Sequence, residues 1–288
     1  KQANKTAGTD IYYDKTHKGK AMEKKAALWF AFIGFLWLLP YVFTVALNGI
    51  DTAFLNRSPE VEDYLPAALS FQIPADYQLE AIEAQAVIAR TNLCRRLQEK
   101  ESITKILGEW KEEIKESHGW RNFPADVYET ASKETEGKIL TAEGELKLVP
   151  YHELSSGQTR DGETAFHDEK YSYLKSVDSS IDKESPSYLN STYISVQQMP
   201  SELNIEEREE SGYIVSLRAD GNLLEGESFA QGMGLSSSNF TIQKIGDEIR
   251  FLCRGKGHGL GFSQFGGNEL AKQGKSWEEI LKTYFPAM

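Results

Sequence analysis

Two stretches of this chain gather the side chains best suited to chemistry. Glu80, Glu83 and Arg90 follow one another within residues 78–99, and a histidine stands between glycines in Gly257-His258-Gly259, just ahead of Ser263 and Gln264. A carboxyl group does acid–base work when burial keeps it protonated near neutral pH. Glu83 and Arg90 are seven apart, so on a helix they share a face. The plain alternative is an ordinary Glu–Arg pair along that helix, and Arg⁺ beside it would keep Glu83 ionised. The glycines around His258 let backbone come close to a ligand, and an imidazole can orient a hydroxyl. A buried histidine tying down a glycine-rich turn is the competing reading. Ser263 reads first as a helix cap. Ser155 and Ser156 have no base signature nearby and read as turn formers, not nucleophiles.

Helices and strands must position these groups. Leu79, Ile82, Ala86, Ala89 and Leu93 recur at helical spacing, which predicts a helix from Gln78 to about Glu99 with Pro74 and Asp76 at its start. A second helix is expected over Ile103–Glu116, followed by a loop bracketed by Gly119 and Pro124. Strands are expected at Lys138–Thr141 and Leu146–Tyr151, paired across an Ala-Glu-Gly turn, and at Tyr188–Gln198 and Tyr213–Leu217. Phe240–Lys244 and Glu248–Cys253 flank Ile-Gly-Asp as a hairpin. Residues 155–170 form a long polar stretch, of the kind that is functional or mobile in compact domains. Helices over Ser263–Gln273 and Trp277–Phe285 close the chain, the last with a Ser276/Glu279 capping box. Strands and helices mix rather than alternate, so the fold class is α+β.

Composition excludes several classes. With 26% charged and 40% hydrophobic residues in a 288-residue chain, the protein is globular rather than disordered. A net charge of −11 argues against a nucleic-acid partner. Two cysteines, Cys94 and Cys253, are too few for a disulfide scaffold or a four-cysteine zinc site. They either pair across a groove or stay as two separate buried thiols, the commoner role. No Cys/His spacing calls for a metal, and nothing points to a cofactor.

The mean hydropathy of −0.47 hides one apolar run. Ala26 to Ile50 are 25 consecutive uncharged residues, and a span needs about 20. Pro40 kinks such a helix without disqualifying it. The run exceeds the core of a cleaved signal peptide, about 7–15 residues. Residues 1–25 carry a net +4 and residues 51–288 a net −15, so the positive-inside rule places the N-terminus in the cytoplasm. The expected organisation is a basic cytoplasmic tail (1–25), a transmembrane anchor (26–50), a linker (51–63) and an extracytoplasmic domain (64–288).

Two longer segments then become informative: Leu65–Thr91, LPAALSFQIPADYQLEAIEAQAVIART, and Gly255–Phe285, GKGHGLGFSQFGGNELAKQGKSWEEILKTYF. Between them lie Ser155-Ser156-Gly157 then Thr159, Tyr173–Asp178, and Ser211-Gly212 leading to Gly232–Leu235. In this order they resemble the stage II sporulation protein D (SpoIID)/LytB family of bacterial cell-wall proteins, over roughly residues 61–286. The resemblance implies a partner in peptidoglycan glycan strands. It also implies a lytic transglycosylase chemistry that leaves a 1,6-anhydro sugar, and a setting such as the space between mother-cell and forespore membranes.

By that resemblance the acid is a Glu before a short apolar residue and Pro. Here the tetrapeptide is Phe71-Gln72-Ile73-Pro74, so Gln72 takes its place. An amide donates a hydrogen bond but has no proton to release. Glu83 stands where the family often has Lys, and Phe265 where it often has Tyr. The same resemblance marks Arg90, His258, Ser263 and Gln264 as substrate-binding positions; for Arg90 a salt bridge that holds the fold stays equally open. Three readings follow: a strand-holding protein that has lost cleavage, an active enzyme using another acid such as Glu83, and an activator of a cell-wall amidase. The first would hold strands or recruit a partner hydrolase.

Overall fold

Leu79, Ile82, Ala86, Ala89 and Leu93 do line one stripe of a helix, yet the opposite stripe is buried as well. The computed structural model describes residues 61–117 and 126–288; the expected tail and anchor, most of the linker, and the 119–124 loop lie outside them. Among the described residues no helix is long and apolar enough to cross a membrane. The chain enters through α1 (Val61–Gln72), so the last three residues assigned to the linker are already helical. It continues through α2 (Leu79–Gln98), α3 (Ile103–Ser117) and α4 (Asp126–Glu134). In α2 every residue from Ala81 to Leu93 is buried. A helix enclosed all round is a central one.

Ile82, Ala86, Ala89 and Leu93 pack against Leu65 and Leu69 of α1 and Tyr128 of α4. Ala81, Ala84, Val87 and Ile88 pack against Phe262, Ile280, Leu281 and Tyr284 at the other end of the chain. Each fully buried Leu, Ile or Phe contributes about 1.5–3 kcal/mol. The start of α2 is not capped from Pro74 or Asp76 as expected. Gln78 precedes it without a side-chain cap, and the Gln78 N–H donates instead to Asn268 Oδ1 at 2.8 Å.

Where two strands were expected, the chain runs extended along α2 with only a bridge between Ala142 and Glu145. Side chains of α2 take the backbone groups that a ladder would have used. Arg90 donates to Lys138 O at 3.1 Å, Leu140 N–H donates to Thr91 Oγ1 at 2.9 Å, and Asn92 bonds both the N–H and the C=O of Val149. Buried backbone polar groups must find partners, and a helix supplies them here. Only β1 (Tyr151–His152) survives as a strand, parallel to β8 (Phe262–Ser263).

The first part of residues 155–170 is buried, whereas most of Glu163–Lys170 is exposed as a polar loop would be. Ser155, Thr159 and Arg160 are buried, and a short helix, α5 (Gly162–Phe166), starts at Asp161, whose side chain accepts from Thr164 N–H. The buried polar groups of this first part find partners elsewhere in the fold. Asp182 accepts from Ser155 N–H at 2.9 Å, Ser179 Oγ at 3.0 Å and Ser263 Oγ at 3.0 Å.

The second half holds two three-stranded sheets. One orders β2 (Leu189–Ser195), β7 (Glu248–Arg254) and β6 (Phe240–Ile245), all antiparallel, with the expected hairpin between β6 and β7. The other orders β3 (Leu203–Arg208), β4 (Ile214–Ala219) and β5 (Asn222–Glu225). Their shared core contains Ile214, Leu217, Phe240, Phe251, Cys253 and Phe229 of α6 (Gly226–Gly232). Helices α7 (Gln264–Lys272) and α8 (Trp277–Tyr284) follow, the latter with the expected capping box. The architecture is mixed α+β. Cys94 and Cys253 are both free thiols, and Cys253 fills core space.

The glycines near His258 serve the fold itself. Gly259 and Gly261 have φ of +76° and +68°, and a Cβ would sit 2.4 Å from the Tyr213 ring or 2.2 Å from Pro150 O. The close approach is to protein, not to a ligand. We expect Gly261→Ala to cost well over 1 kcal/mol, read as a lower urea midpoint.

Candidate functional site

Gln72 ends α1, Gln85 lies inside α2 and Gln264 opens α7, so the corner where these helices meet brings three amides together. Gln264 Nε2 donates to the backbone oxygen of Gln72 at 2.7 Å and to Gln85 Oε1 at 3.1 Å. Gln85 Nε2 in turn donates to Gln72 Oε1 at 2.8 Å. A backbone carbonyl only accepts, so it fixes which end of Gln264 faces it. That orientation fixes Gln85, and Gln85 fixes Gln72. The relay leaves the Gln72 Nε2 group as its terminal donor, buried and without a partner among the described residues. Chained hydrogen bonds polarise one another. The Gln72 amide is therefore a pre-oriented donor with no proton to release. Asn268, one turn along α7 from Gln264, holds the start of α2, so two side chains of one helix face set this corner.

Glu83 sits elsewhere. It is two residues from Gln85, about 200° around the helix axis, hence on nearly the opposite side of α2. The residue is 7% exposed; its carboxyl oxygens keep some contact with solvent and accept no hydrogen bond among the described residues. Burial first, and then the charges of Glu80, Glu134 and Glu278, push its pKa up to about 7. The expectation that Arg90 keeps Glu83 ionised is corrected, because Arg90 is committed to Glu62. A carboxyl with a raised folded-state pKa loses stability as pH climbs from its unfolded value through 7. Glu83→Gln should thus gain about 1–3 kcal/mol at pH 8 and nothing near pH 4, which urea denaturation at the two pH values would read.

Arg90 is 1% exposed and has no surface to offer a ligand. Nε and Nη2 grip Glu62 at 2.6 and 2.9 Å, Nη1 donates to Lys138 O, and Nη2 also reaches Ser132 O. This is the fold-holding reading of Arg90, with Glu62 as the acid rather than Glu83. Ser263 is fully buried; its Oγ accepts from Gly266 N–H as the cap of α7 and donates to Asp182. Neither residue stands at a surface where a sugar could reach it.

His258 lies in a different place again, at a cleft of about 1010 Å³ lined in part by His152, Arg95, Arg160, Phe166 and Glu227. Its Nδ1 accepts from Leu260 N–H at 3.1 Å, and its backbone oxygen accepts from Arg160 Nη1 at 3.1 Å. Burial and the Arg160 charge lower its pKa to about 4, opposed by a hydrogen bond with the Tyr151 backbone. The imidazole is neutral at pH 7. Arg160 is held by Glu209 and Glu227 and lies over the Tyr213 ring. None of Gln72, Glu83, Gln85 or Gln264 is among the residues lining this cleft.

The sequence-expected site residues thus separate: Gln72 and Gln264 meet, while Glu83, Arg90, Ser263 and His258 do not join them. Gln85 and His152 were not anticipated. Gln85 had one visible signal, an uncharged amide within the alternating Ala-Gln-Ala of a buried helix. His152 had none. Among the described residues no group of three or more His, Cys, Asp or Glu is placed to hold a metal ion.

Residues 54–142 match the family model for SpoIID, described as stage II sporulation protein. The chain is 30% identical over 257 residues to stage II sporulation protein D of Bacillus amyloliquefaciens, covering 80% of this chain and 74% of that one. It is 29% identical over 261 residues to stage II sporulation protein D of Bacillus subtilis (strain 168), covering 80% and 75%. It is 25% identical over 269 residues to an uncharacterized protein of Brachyspira hyodysenteriae, covering 88% and 70%. On this likeness over most of both chains, the protein belongs to the stage II sporulation protein D family.

Proposed function

We propose that this protein works in sporulation or cell-wall remodelling by holding peptidoglycan glycan strands without cutting them. The carrying observation is the Gln72–Gln85–Gln264 relay, which ends in a donor and contains no titrating group. In the transglycosylase chemistry that the family resemblance implies, one carboxylic acid protonates the leaving glycosidic oxygen. The resulting carboxylate then takes the proton of the sugar's own hydroxyl as that oxygen closes the anhydro ring. The Gln72 amide has no proton to release, so it can perform neither transfer.

The raised pKa of Glu83 suits a general acid, and it favours a second reading, slow cleavage through that carboxyl. Its place on the far side of α2 from Gln85 weighs against it. The proposal further puts the domain outside the cytoplasm on a single membrane helix over residues 26–50, with a cell-wall hydrolase or amidase as partner. The uncharged run and the charge asymmetry around it support that placement. The test is to incubate the protein with glycan strands stripped of stem peptides. Strands should co-sediment with it while anhydro ends stay at background. Anhydro ends that appear with the unaltered protein and vanish in Glu83→Gln would establish the second reading instead.

A further inference from the structure

Eight arginines lie among the described residues, and five of them meet a carboxylate: Arg90, Arg95, Arg96, Arg160 and Arg218. The other three, Arg208, Arg250 and Arg254, have no carboxylate partner among the described residues, and they gather on one surface. In β7 the side chains of Ile249, Phe251 and Cys253 enter the core, so Arg250, Leu252 and Arg254 stand on the opposite face of the sheet. Register puts Tyr193 of β2 and Gln243 of β6 beside Arg250, and Leu189 of β2 beside Arg254. Arg250 lies across all three strands, donating from Nε to Ser191 Oγ at 3.0 Å and from Nη1 to Gln243 Oε1 at 3.3 Å. Both partners are neutral, so they orient the guanidinium and leave its charge unanswered. Arg208 reaches the same sheet from β3, with Nη2 donating to Phe240 O at 2.6 Å and Nη1 to Gly212 O at 2.8 Å. Burial, and then the charge of Arg254, push its pKa down, and no carboxylate acts against them. Leu189 is 54% exposed, Tyr193 50% and Ile245 47%, so the face is apolar between its cations.

We propose that this sheet face docks the acidic peptide stems of peptidoglycan, with their carboxylates on Arg250, Arg254 and Arg208 and their alanine side chains on Leu189, Leu252 and Tyr193. The inference rests on the reading that the protein handles cell-wall strands. An antiparallel sheet with one face open to water is ordinary; three unanswered guanidiniums on it are not, because residues 51–288 carry a net −15. Such a module repels an acidic ligand over most of its surface, and the three cations mark where one can settle. A guanidinium offers a carboxylate two parallel N–H donors. Arg250 and Arg254 are four residues apart on one strand, roughly 13 Å, a span that an extended tetrapeptide covers. A phosphate polymer would use the cations but has nothing for the apolar side chains between them. An anionic bilayer would be repelled by Glu248, the one acid among the outward positions of β2, β6 and β7, whereas many stems carry an amine that Glu248 can meet.

The test is calorimetric titration of the whole protein with an N-acetylated stem tetrapeptide, against the same peptide with its carboxylates converted to carboxamides, hexaglutamate, polyphosphate and phosphatidylglycerol vesicles. The acidic tetrapeptide should bind at least about tenfold tighter than its carboxamide form, and more weakly as salt rises. Arg250→Gln and Arg254→Gln should each weaken it about tenfold without moving the urea midpoint, and Arg254→Lys should keep part of the affinity. A tetrapeptide that does not bind, variants that bind like the parent, or equal binding of the carboxamide form overturns the proposal. Equal binding of hexaglutamate gives the face to an acidic protein segment, equal binding of polyphosphate or vesicles gives it to phosphates, and self-association lost in Arg254→Gln gives it to a second copy of this chain; each of these overturns it too. If stripped strands co-sediment with a protein that ignores the tetrapeptide, the stem site falls and the strand-holding role stands. If the tetrapeptide binds a protein that ignores stripped strands, or one that cuts them, the stem site stands and the non-cutting, strand-holding role falls.

Discussion

Gln72→Glu should turn a strand-holding protein into a strand-cutting one, raising the rate of anhydro-end formation about 10²–10⁴-fold, the usual worth of a general acid. The surroundings are already suited to the change. Gln85 Nε2, fixed through Gln264, donates to Oε1 at position 72, so a carboxyl there keeps one oxygen anchored and leaves the other to carry the proton. The site is buried, with Gln72 8% exposed, and burial raises a carboxyl's pKa toward neutrality. The substitution removes only the unpartnered Nε2 hydrogens, so folding should be intact. Counting 1,6-anhydro-muramic ends by mass spectrometry reads the outcome. A variant that folds and binds strands yet leaves them whole would refute the claim that the missing acid is the sole impediment.

Arg90→Ala should unfold the helical half without a specific effect on glycan affinity. It leaves Glu62 without its guanidinium and strips partners from the carbonyls of Ser132 and Lys138. Breaking a buried pair by removing one partner typically costs about 3–5 kcal/mol, a large part of the stability of most domains. Arg90→Lys should rescue little, since an ammonium cannot reproduce the two-pronged grip on Glu62. Urea denaturation measures the loss, and strand co-sedimentation of the folded fraction measures affinity. A variant with an unchanged midpoint that no longer binds strands would return Arg90 to the role of a sugar contact.

Residues 138–151 show what local pattern misses. Alternating apolar residues around an Ala-Glu-Gly turn look like a hairpin, but Arg90, Thr91 and Asn92 of α2 capture their backbone groups first. The first part of the 155–170 stretch fails for a related reason. Its hydroxyls and charges look solvated in isolation, and in the fold they meet Asp182, Glu209 and Glu227.

Helical periodicity by itself determined α2 and α3, and the Ser276/Glu279 pair determined the start of α8, because those signals act within a few residues. The paired runs around Ile-Gly-Asp determined the β6–β7 hairpin in the same way. The order of motifs determined the family, and the tetrapeptide at Gln72 shows an amide where the resemblance implies an acid. Tertiary structure alone decided which polar groups meet. Gln264 and Gln72 are 192 residues apart, Arg90 chose Glu62 over Glu83, and His258 turned toward a cleft that the amide corner does not share. Such contacts depend on which sides of α2 face which neighbours. That is set by burying apolar stripes from both ends of the chain at once, and it leaves no mark on any short stretch of sequence.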